Sequence, residues 1–160
     1  MKLLNRLTAL LFIFSLLIGE FAMAQDTPQE NKQLLSDFGA EIFGRKELSN
    51  LHRYMREDYI QHNPLVPQGL AGFKQFFADW FKAVPDWNYS LTKIVAEGDT
   101  VWVYGMYSGT HRGDWLGIPA TNRSYSITAV DIFRIQDGKL AEHWDVIDIY
   151  GLFKQLGIIK

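Results

Sequence analysis

The sequence contains no cysteine among its 160 residues. Disulfide bonds, thiolate metal sites and a lipid-modified cysteine anchor are therefore excluded, and the fold must be stable by packing alone. Clusters of lysine and arginine are also missing, because the 16 basic residues are spread along the chain and the formal net charge is −2. Nucleic acid is accordingly not an expected partner, since binding to its phosphates needs a basic patch.

Only one long hydrophobic run is present, and it lies near the N-terminus. Two basic residues precede the 12-residue apolar run at 7–18, and Ala-Met-Ala at 22–24 supplies a small-x-small cleavage pattern. These are the three parts of a secretory signal peptide, and the run is shorter than the roughly 20 residues of a membrane span. We therefore expect cleavage before Gln25 and an exported domain, periplasmic in a Gram-negative host or secreted. An uncleaved anchor is the alternative, because Glu20 and Phe21 fit the cleavage region imperfectly.

The mature chain predicted at residues 25–160 has a normal length for one domain with one core. Without the leader it has 14 basic and 17 acidic side chains, a net charge of −3. All five tryptophans fall in this part, and such aromatic side chains supply both a core and the walls of an apolar pocket. A small hydrophobic molecule is therefore the expected partner, and no membrane association is expected after the leader is cleaved.

Hydrophobic periodicity changes halfway along the chain. Three- and four-residue spacing predicts helices over residues 29–44, 46–55 and 70–84. Alternation predicts strands over residues 89–97, 100–111, 124–135 and 139–147, followed by a last helical turn at 150–156. Helices followed by an antiparallel meander predict an α+β domain. We expect the N-terminal helices to cover one face of a curved antiparallel sheet, giving a cone that encloses one pocket.

The closing hairpin carries the candidate site. Asp-Gly at residues 137–138, between two alternating runs, is a strong turn signal. In a bulged turn with the glycine left-handed, Asp131 lies directly opposite His143, and Asp145 points to the same side. Three titratable groups on an otherwise apolar face indicate a functional pocket, because unpaired buried charge is costly. A two-residue turn would shift the pairing by one and separate Asp131 from His143.

Five segments, taken in order, follow a pattern that is found in a known family. They are residues 59–64 (Tyr-Ile-Gln-His-Asn-Pro) before Gly69, 109–113, 117–123, 131–134 leading into the hairpin, and 150–157. Together they resemble the SnoaL-like polyketide cyclases of the nuclear-transport-factor-2-like superfamily, over residues 29–157. The resemblance implies an α+β cone. It also implies ring closure by intramolecular aldol condensation, without a metal or an organic cofactor.

The resemblance also implies roles for individual residues. Asp145 matches the general acid/base of those cyclases, His143 lies two residues before it, and Asn63 matches a polar pocket residue. Asp131 stands where the family has a histidine-like residue, so the polar cluster is rearranged. We predict acid/base chemistry of cyclase, isomerase or hydrolase type on a small hydrophobic carbonyl or ester-like substrate. Asp145 is the predicted acid/base, with His143 and His62 polarising the substrate or relaying protons.

The other candidate residues also have structural explanations. The predicted substrate contacts are Asn63, Asp131, His111, Trp80 and Tyr107. Aromatic rows such as the one containing Trp80 are more often core than ligand platform. His111 fits a lid residue beside the loop at 113–119 or a surface position, and Asn63 fits a turn that it stabilises itself. Asp131 and His143 also fit an internal salt bridge, and Asp145 fits a solvated strand end. No metal site is expected, because no two histidines have ligand spacing on one element.

Two further expectations concern partners. The other face of the predicted sheet carries Val130, Ile132, Trp144 and Val146, and such an apolar face needs cover, so a homodimer is expected. The rival to an enzyme is a non-catalytic pocket that carries or senses a hydrophobic small molecule. An Asp145→Asn change separates the two, because a binder keeps its affinity and an enzyme loses turnover while still binding.

Overall fold

The structure is a computed structural model that describes residues 27–160. The predicted signal peptide at residues 1–24 and its cleavage site lie outside the described residues. Among the helices at 27–160, none combines the length and the apolar character that crossing a membrane requires.

The helices lie where the apolar spacing predicts them. Thr27 caps the first helix by accepting a hydrogen bond from the backbone N–H of Glu30, whose side chain accepts one from Thr27 in return. The helices are α1 (Pro28–Phe38), which continues as a π-helical turn at Gly39–Gly44, α2 (Leu51–Tyr54) after a 3-10 turn at Leu48–Asn50, α3 (Gly69–Ala83) and α4 (Ile149–Leu156). Gly157, at φ 73°, ends α4 in the left-handed conformation.

Five strands form one curved, unclosed sheet in the order β1-β5-β4-β3-β2. They are β1 (Met55–Gln61), β2 (Asn88–Glu97), β3 (Thr100–Thr110), β4 (Ser124–Gln136) and β5 (Lys139–Ile147). β2 to β5 are an antiparallel meander, as expected, but β1 pairs with β5 in parallel. The sheet is therefore mixed, because the segment before Pro64 continues from α2 onto the free edge of β5.

Helices α1 and α3 cover the inner face of the sheet, and aromatic side chains fill the space between them. Phe38 is almost completely buried, and its ring lies 5.1 to 6.2 Å from the rings of four neighbours. Those neighbours are Phe43, Tyr54, Phe73 and Phe133. Buried and more exposed residues alternate along β4, so one of its faces points into this core and the other points outward.

The hairpin register differs from the predicted one at two points. Asp137 and Gly138 have φ values of 55° and 67°, so the turn has two residues, and Gln136 pairs with Lys139. Positive φ at both positions matches the twist of the flanking strands, which is why the predicted bulged turn does not form. A bulge occurs instead within β5, where Ala141 is the extra residue between two successive pairs.

The bulge decides which side chains share the inner face. Asp131 lies directly opposite Asp145, and His143 lies opposite Phe133. The predicted direct pairing of Asp131 with His143 is therefore wrong. The two remain diagonal neighbours on one face, because the shorter turn and the extra residue in β5 together shift the pairing by two residues, and a shift of two keeps each side chain on the same face.

Candidate functional site

A cavity of about 90 Å³ lies between α3, the loop after β1 and the inner face of the sheet. We call it the central cavity. Its aromatic walls include Phe73, Phe76, Phe77, Trp80, Tyr107 and Trp115. Its polar residues are Gln61, Asn63, Asp131, His143 and Asp145. Of the sequence-predicted site residues, the structure thus brings Asn63, Trp80, Tyr107, Asp131, His143 and Asp145 together around one space.

Asp145 is a half-buried carboxylate near the end of β5. Its Oδ2 accepts a hydrogen bond of 2.7 Å from the side-chain amide of Asn63. Burial raises the pKa of Asp145 above its usual value, and the charge of Asp131 acts in the same direction. The Asn63 hydrogen bond and the charge of His143 oppose this rise in pKa. A carboxyl group with a raised pKa beside an aromatic-walled cavity is better suited than an ordinary carboxylate to take up and return a proton.

His143 is held from both sides of its ring. Nε2 lies 3.2 Å from Oδ1 of Asp131, and Nδ1 lies 3.0 Å from Oε1 of Gln61. The same Gln61 oxygen accepts from the backbone N–H of Asn63, which identifies it as the acceptor end of the amide. Nδ1 of His143 must therefore carry a hydrogen and donate it to Gln61. This leaves Nε2 facing Oδ1 of Asp131.

Asp131 has a second donor on its other oxygen. The hydroxyl of Tyr107 donates to Oδ2 of Asp131 at 2.5 Å. Burial and the charge of Asp131 hold the pKa of Tyr107 well above its usual value, so this phenol remains a donor. Asp131 thus takes hydrogen bonds from two strands, and the ion pair that the sequence left open is part of a larger network.

Gln61 was missed by the sequence analysis. Its Nε2 donates to the Tyr59 hydroxyl, and its backbone N–H donates to the side chain of Gln68. The residue is buried and lies beside His143 only because β1 joins β5 in parallel. Alternation along β1 places Tyr59 and Gln61 on one face of the sheet, and this pattern is the sequence signal that could have identified Gln61. Without the pairing of β1 with β5, a polar residue two positions after a tyrosine does not by itself predict a site residue.

His62 does not line the central cavity, so the structure does not bring it to the position that its predicted role in polarising the substrate or relaying protons requires. The same alternation along β1 that turns Gln61 inward turns His62 outward. Its ring stacks on Trp144 at 4.7 Å, and Nε2 lies 2.7 Å from Oε1 of Glu142. Trp144 belongs to the outer face of the sheet. His62 is therefore separated from Asp145 by the thickness of the sheet.

His111 is neither a lid residue nor a surface residue, because it is completely buried. Its Nδ1 accepts from the backbone N–H of Thr121 at 3.4 Å, and Nε2 has no hydrogen-bond partner within residues 27–160. The side chain does not line the central cavity. Its predicted contact with substrate is therefore not supported by its position.

The burial of His111 predicts a pH-dependent stability. Burial lowers the pKa of His111 below its usual 6.5, so the unfolded chain takes up a proton more readily than the folded chain. The neutral side chain of His111 contributes fully to the free energy of unfolding above about pH 6.5. This contribution is lost as pH falls through the lower pKa that His111 has in the folded state. Urea titrations from pH 8 to 5 should show a smaller pH dependence for His111→Asn than for the wild type. The exposed His52→Asn control should keep the wild-type dependence, and identical curves for all three proteins would refute this account.

Asp131, His143 and Asp145 also offer one potential metal-ligand atom each, all within 4.8 Å of one another. Two carboxylates and one imidazole suit a divalent transition metal. The same three side chains also make the hydrogen bonds to Asn63, Tyr107 and Gln61 and the one between Asp131 and His143. The trio can therefore serve either as a hydrogen-bonded acid/base cluster or as metal ligands, and the expectation of a metal-free site stays a prediction.

The hydrogen bond between Asn63 and Asp145 predicts the pH dependence of any reaction that uses this carboxylate. Asn63→Asp keeps the oxygen that accepts from the backbone of Leu65 but replaces the donor beside Asp145 by a second carboxyl group. Like charges at this distance raise the pKa of the pair. The acid limb of the pH–rate profile should therefore move to higher pH. Asn50→Asp makes the same change beside Glu41, outside the cavity, and should leave the profile in place.

The comparison with known proteins agrees with this geometry. Residues 33–156 match the family described as SnoaL-like polyketide cyclase. This chain belongs to the SnoaL-like polyketide cyclase family. It is 34% identical over 111 residues to an aklanonic acid methyl ester cyclase of Streptomyces sp. (strain C5), covering 67% of this chain and 66% of that protein. It is 30% identical over 120 residues to the nogalonic acid methyl ester cyclase of Streptomyces nogalater, covering 72% and 89% of the two chains.

Solved structures of similar fold support the family assignment. TsrD from Streptomyces laurentii superimposes with a TM-score of 0.77 at 33% identity, covering 84% of this chain and all of TsrD. AclR from Streptomyces galilaeus superimposes with a TM-score of 0.74 at 28% identity, also covering 84% of this chain and all of AclR. The resemblance found in the five sequence segments is therefore confirmed, and so is the α+β fold.

Proposed function

We propose that this SnoaL-like domain catalyses a cofactor-free, intramolecular aldol-type ring closure of a small, largely apolar carbonyl or ester-like substrate. Asp145 is the general acid/base. The observation that carries the proposal is the position of this carboxyl group, which is half-buried against the aromatic-walled central cavity. Burial there raises the pKa of Asp145. The names of the related Streptomyces cyclases support ring closure as the reaction class.

The proposed reaction balances without any co-reactant. Asp145 takes a proton from the carbon next to a substrate carbonyl, and the electron pair of that C–H bond forms an enolate. The enolate carbon attacks a second carbonyl of the same molecule, so one C–C bond forms and one C=O π bond breaks. The resulting alkoxide takes the proton back from Asp145. Substrate and product therefore have the same mass before any later loss of water.

The neighbours of Asp145 have separate tasks in this proposal. Asn63 holds the carboxylate in place through its 2.7 Å hydrogen bond. The hydrogen-bonded pair of His143 and Asp131 borders the cavity, and we propose that the imidazole of His143 polarises the substrate where the oxyanion develops. Gln61 acts as a positioning residue, because it fixes which ring nitrogen of His143 faces Asp131. His62 has no task here.

The proposal is tested with the compounds for which the relatives are named. Purified protein is incubated with aklanonic acid methyl ester and with nogalonic acid methyl ester, and ring closure is followed by liquid chromatography and NMR. We expect a cyclised isomer of unchanged mass to form from at least one ester, at a rate proportional to enzyme concentration and insensitive to EDTA. Tight binding of both esters without turnover would favour a carrier or sensor. Loss of turnover with EDTA would favour a metal at Asp131, His143 and Asp145.

We propose export as the location of this activity, on the strength of the tripartite leader in the first 24 residues. Mass spectrometry of protein expressed from the full sequence should find a new N-terminus at Gln25. Recovery of the chain from membranes with Met1 intact would contradict export of a cleaved domain.

We also propose a homodimer through the outer face of the sheet. Trp102, Tyr104, Met106 and Val146 are exposed on this face, Val146 to 70% and Trp102 to 52%. Such a contiguous apolar area is unusual on a monomer. Light scattering at about 50 µM protein should give twice the chain mass, because weak dimers persist at roughly this concentration. A mass of one chain there would exclude the dimer.

A further inference from the structure

Asp131, His143 and Asp145 lie on two paired strands, and we call these three residues the polar trio. Asp131 on β4 lies directly opposite Asp145 on β5, and His143 precedes Asp145 by two residues on the same face. One potential ligand atom from each side chain lies within 4.8 Å of the other two. Side chains on paired strands are held in place better than side chains on loops. The spacing of the trio is therefore largely set by the sheet.

One distance in the polar trio matches the geometry of a zinc site. Zinc binds imidazole nitrogen at roughly 2.0 Å and carboxylate oxygen at roughly 2.1 Å, so two such ligands of a tetrahedral site lie about 3.3 Å apart. Nε2 of His143 and Oδ1 of Asp131 are 3.2 Å apart. For Asp145 to complete a third corner, its ligand oxygen must move by no more than about 1.5 Å, because the ligand atoms of the trio are within 4.8 Å of one another.

Each residue of the polar trio also has an outer hydrogen-bond partner that fixes its orientation. The partners are Tyr107 for Asp131, Gln61 for His143 and Asn63 for Asp145. They engage one oxygen of each carboxylate and Nδ1 of the imidazole, which leaves the other oxygens and Nε2 for an ion. Metal-binding histidines almost always donate their second N–H to such a partner, and metal-binding carboxylates are hydrogen-bonded in turn. The trio therefore has the surroundings of a metal site as well as its ligand atoms.

His143 has the tautomer that a metal ligand needs. Nδ1 donates its hydrogen to Gln61, so Nε2 of the neutral imidazole carries a lone pair. This lone pair faces Oδ1 of Asp131, which also only accepts when the carboxyl group is ionised. An ion between the two atoms attracts both of them, whereas two facing lone pairs repel each other. A proton in this gap serves the same purpose, so a proton and a metal ion compete for one position.

The central cavity gives an ion access and room. All three residues of the trio line it, and Asp145 is partly exposed to solvent. The volume of about 90 Å³ exceeds the roughly 30 Å³ that one water molecule occupies in the liquid. An ion bound by three side chains can therefore keep a water molecule as its fourth ligand.

We propose that the polar trio binds one divalent transition-metal ion of the zinc class, through one imidazole nitrogen, one oxygen of each carboxylate and a water molecule. The two ionised carboxylates balance the charge of such an ion. Zinc accepts this mixed set in a four-coordinate site, whereas Mg²⁺ and Ca²⁺ require about six or more ligands and prefer oxygen. The bound ion inhibits ring closure, because a carboxylate that holds the ion cannot take a proton from the substrate. This last step alone rests on the proposed function.

Binding of Zn²⁺ tests the site without any measurement of turnover. Purified protein without an affinity tag is treated with EDTA, dialysed and titrated with ZnCl₂ in a calorimeter. We expect one ion per chain with a dissociation constant on the order of 1 µM or lower, and no competition from roughly 1 mM Mg²⁺. Zn²⁺ is d¹⁰ and has no visible absorption, so Co²⁺ replaces it for spectroscopy and should give the intense bands of a four-coordinate ion.

Three variants locate the ion. Asp131→Asn removes a charged ligand, and its new amide can donate to Nε2 of His143, so the variant should fold and should bind Zn²⁺ at least about 100-fold more weakly. Gln61→Glu should bind Zn²⁺ roughly tenfold more tightly, because a carboxylate partner makes the imidazole a stronger ligand. Such a gain cannot come from misfolding. His62→Gln is the matched control, since it removes a histidine that pairs with Glu142 on the outer face and should leave the dissociation constant unchanged.

The results separate this site from the proposed function. Equal affinities of the wild type and Asp131→Asn, a weaker affinity in His62→Gln, or no binding at about 1 mM Zn²⁺ would each overturn the metal site. Ring closure by the metal-free protein should fall in proportion to the bound fraction of Zn²⁺, and EDTA should restore it. Full turnover at saturating Zn²⁺ would overturn the inhibition. A metal-free protein that closes no ring would overturn the proposed function and leave the binding results intact.

Discussion

Replacing Asp145 by asparagine should lower kcat by about 10² to 10⁴-fold, the usual contribution of a general acid/base. Substrate affinity should change by no more than about threefold, because asparagine has the same shape and its oxygen still accepts from Asn63. This combination separates chemistry from binding. If the protein is a carrier or sensor, Asp145→Asn should change only its affinity for the ligand, and only slightly.

The control for this substitution is Asp58→Asn on β1. Asp58 is exposed and pairs with Arg56 on the surface, so the same chemical change is made away from the cavity. Turnover of this variant should match that of the wild type. Equal losses in both variants would indicate a general effect of removing one carboxylate, and undiminished kcat in Asp145→Asn would remove Asp145 from the mechanism.

Replacing Gln61 by leucine should lower the free energy of unfolding by about 3 kcal/mol, since several buried polar groups lose their partners. Those groups are Nδ1 of His143, the backbone N–H of Asn63 and the Tyr59 hydroxyl. Turnover should fall even at temperatures where the variant is fully folded. The reason is that the ring of His143 is then free to place its hydrogen on either nitrogen.

A conservative variant distinguishes positioning from simple stability. Gln61→Glu keeps an acceptor for His143 and for Asn63, so turnover should recover in large part. Long-range ¹H–¹⁵N NMR spectra should show the Nδ1–H form of His143 in the wild type and in Gln61→Glu, but not in Gln61→Leu. Gln155→Leu is the matched control, because its side chain also makes two hydrogen bonds, but on the exposed side of β4. A single His143 tautomer in all four proteins would show that Gln61 does not position the ring.

Much of the fold is predictable from local patterns. The helices and the strands of the meander lie within a few residues of the expected ranges, because burial of one face imposes a period of 3.6 or 2 on the sequence. The parallel pairing of β1 with β5 is not local, since the two strands are about 80 residues apart. No periodicity within either strand identifies its neighbour. That pairing is what places Gln61 beside His143 and turns His62 away.

The hairpin shows a different limit of sequence reasoning. The Asp-Gly turn was located correctly, but its two-residue form and the bulge at Ala141 each shift the pairing by one residue, and the total shift of two keeps the same side chains on the inner face. The shared face of Asp131, His143 and Asp145 was therefore predicted, although their pairing was not. His111 illustrates the reverse case, in which a polar residue beside a glycine-rich loop is buried and the end of that loop, at Thr121 and Asn122, hydrogen-bonds back to it.

The central claim is that Asp145 removes a proton from carbon next to a carbonyl group. Deuterium exchange tests it most directly, with aklanonic acid methyl ester in D₂O and ¹H NMR of the protons next to its carbonyl groups. The wild type should exchange these protons faster than buffer does, with a rate that rises as pH increases through the raised pKa of Asp145, while Asp145→Asn should exchange them at the buffer rate. Equal exchange by the wild type and Asp145→Asn, or wild-type exchange no faster than buffer, would contradict the account.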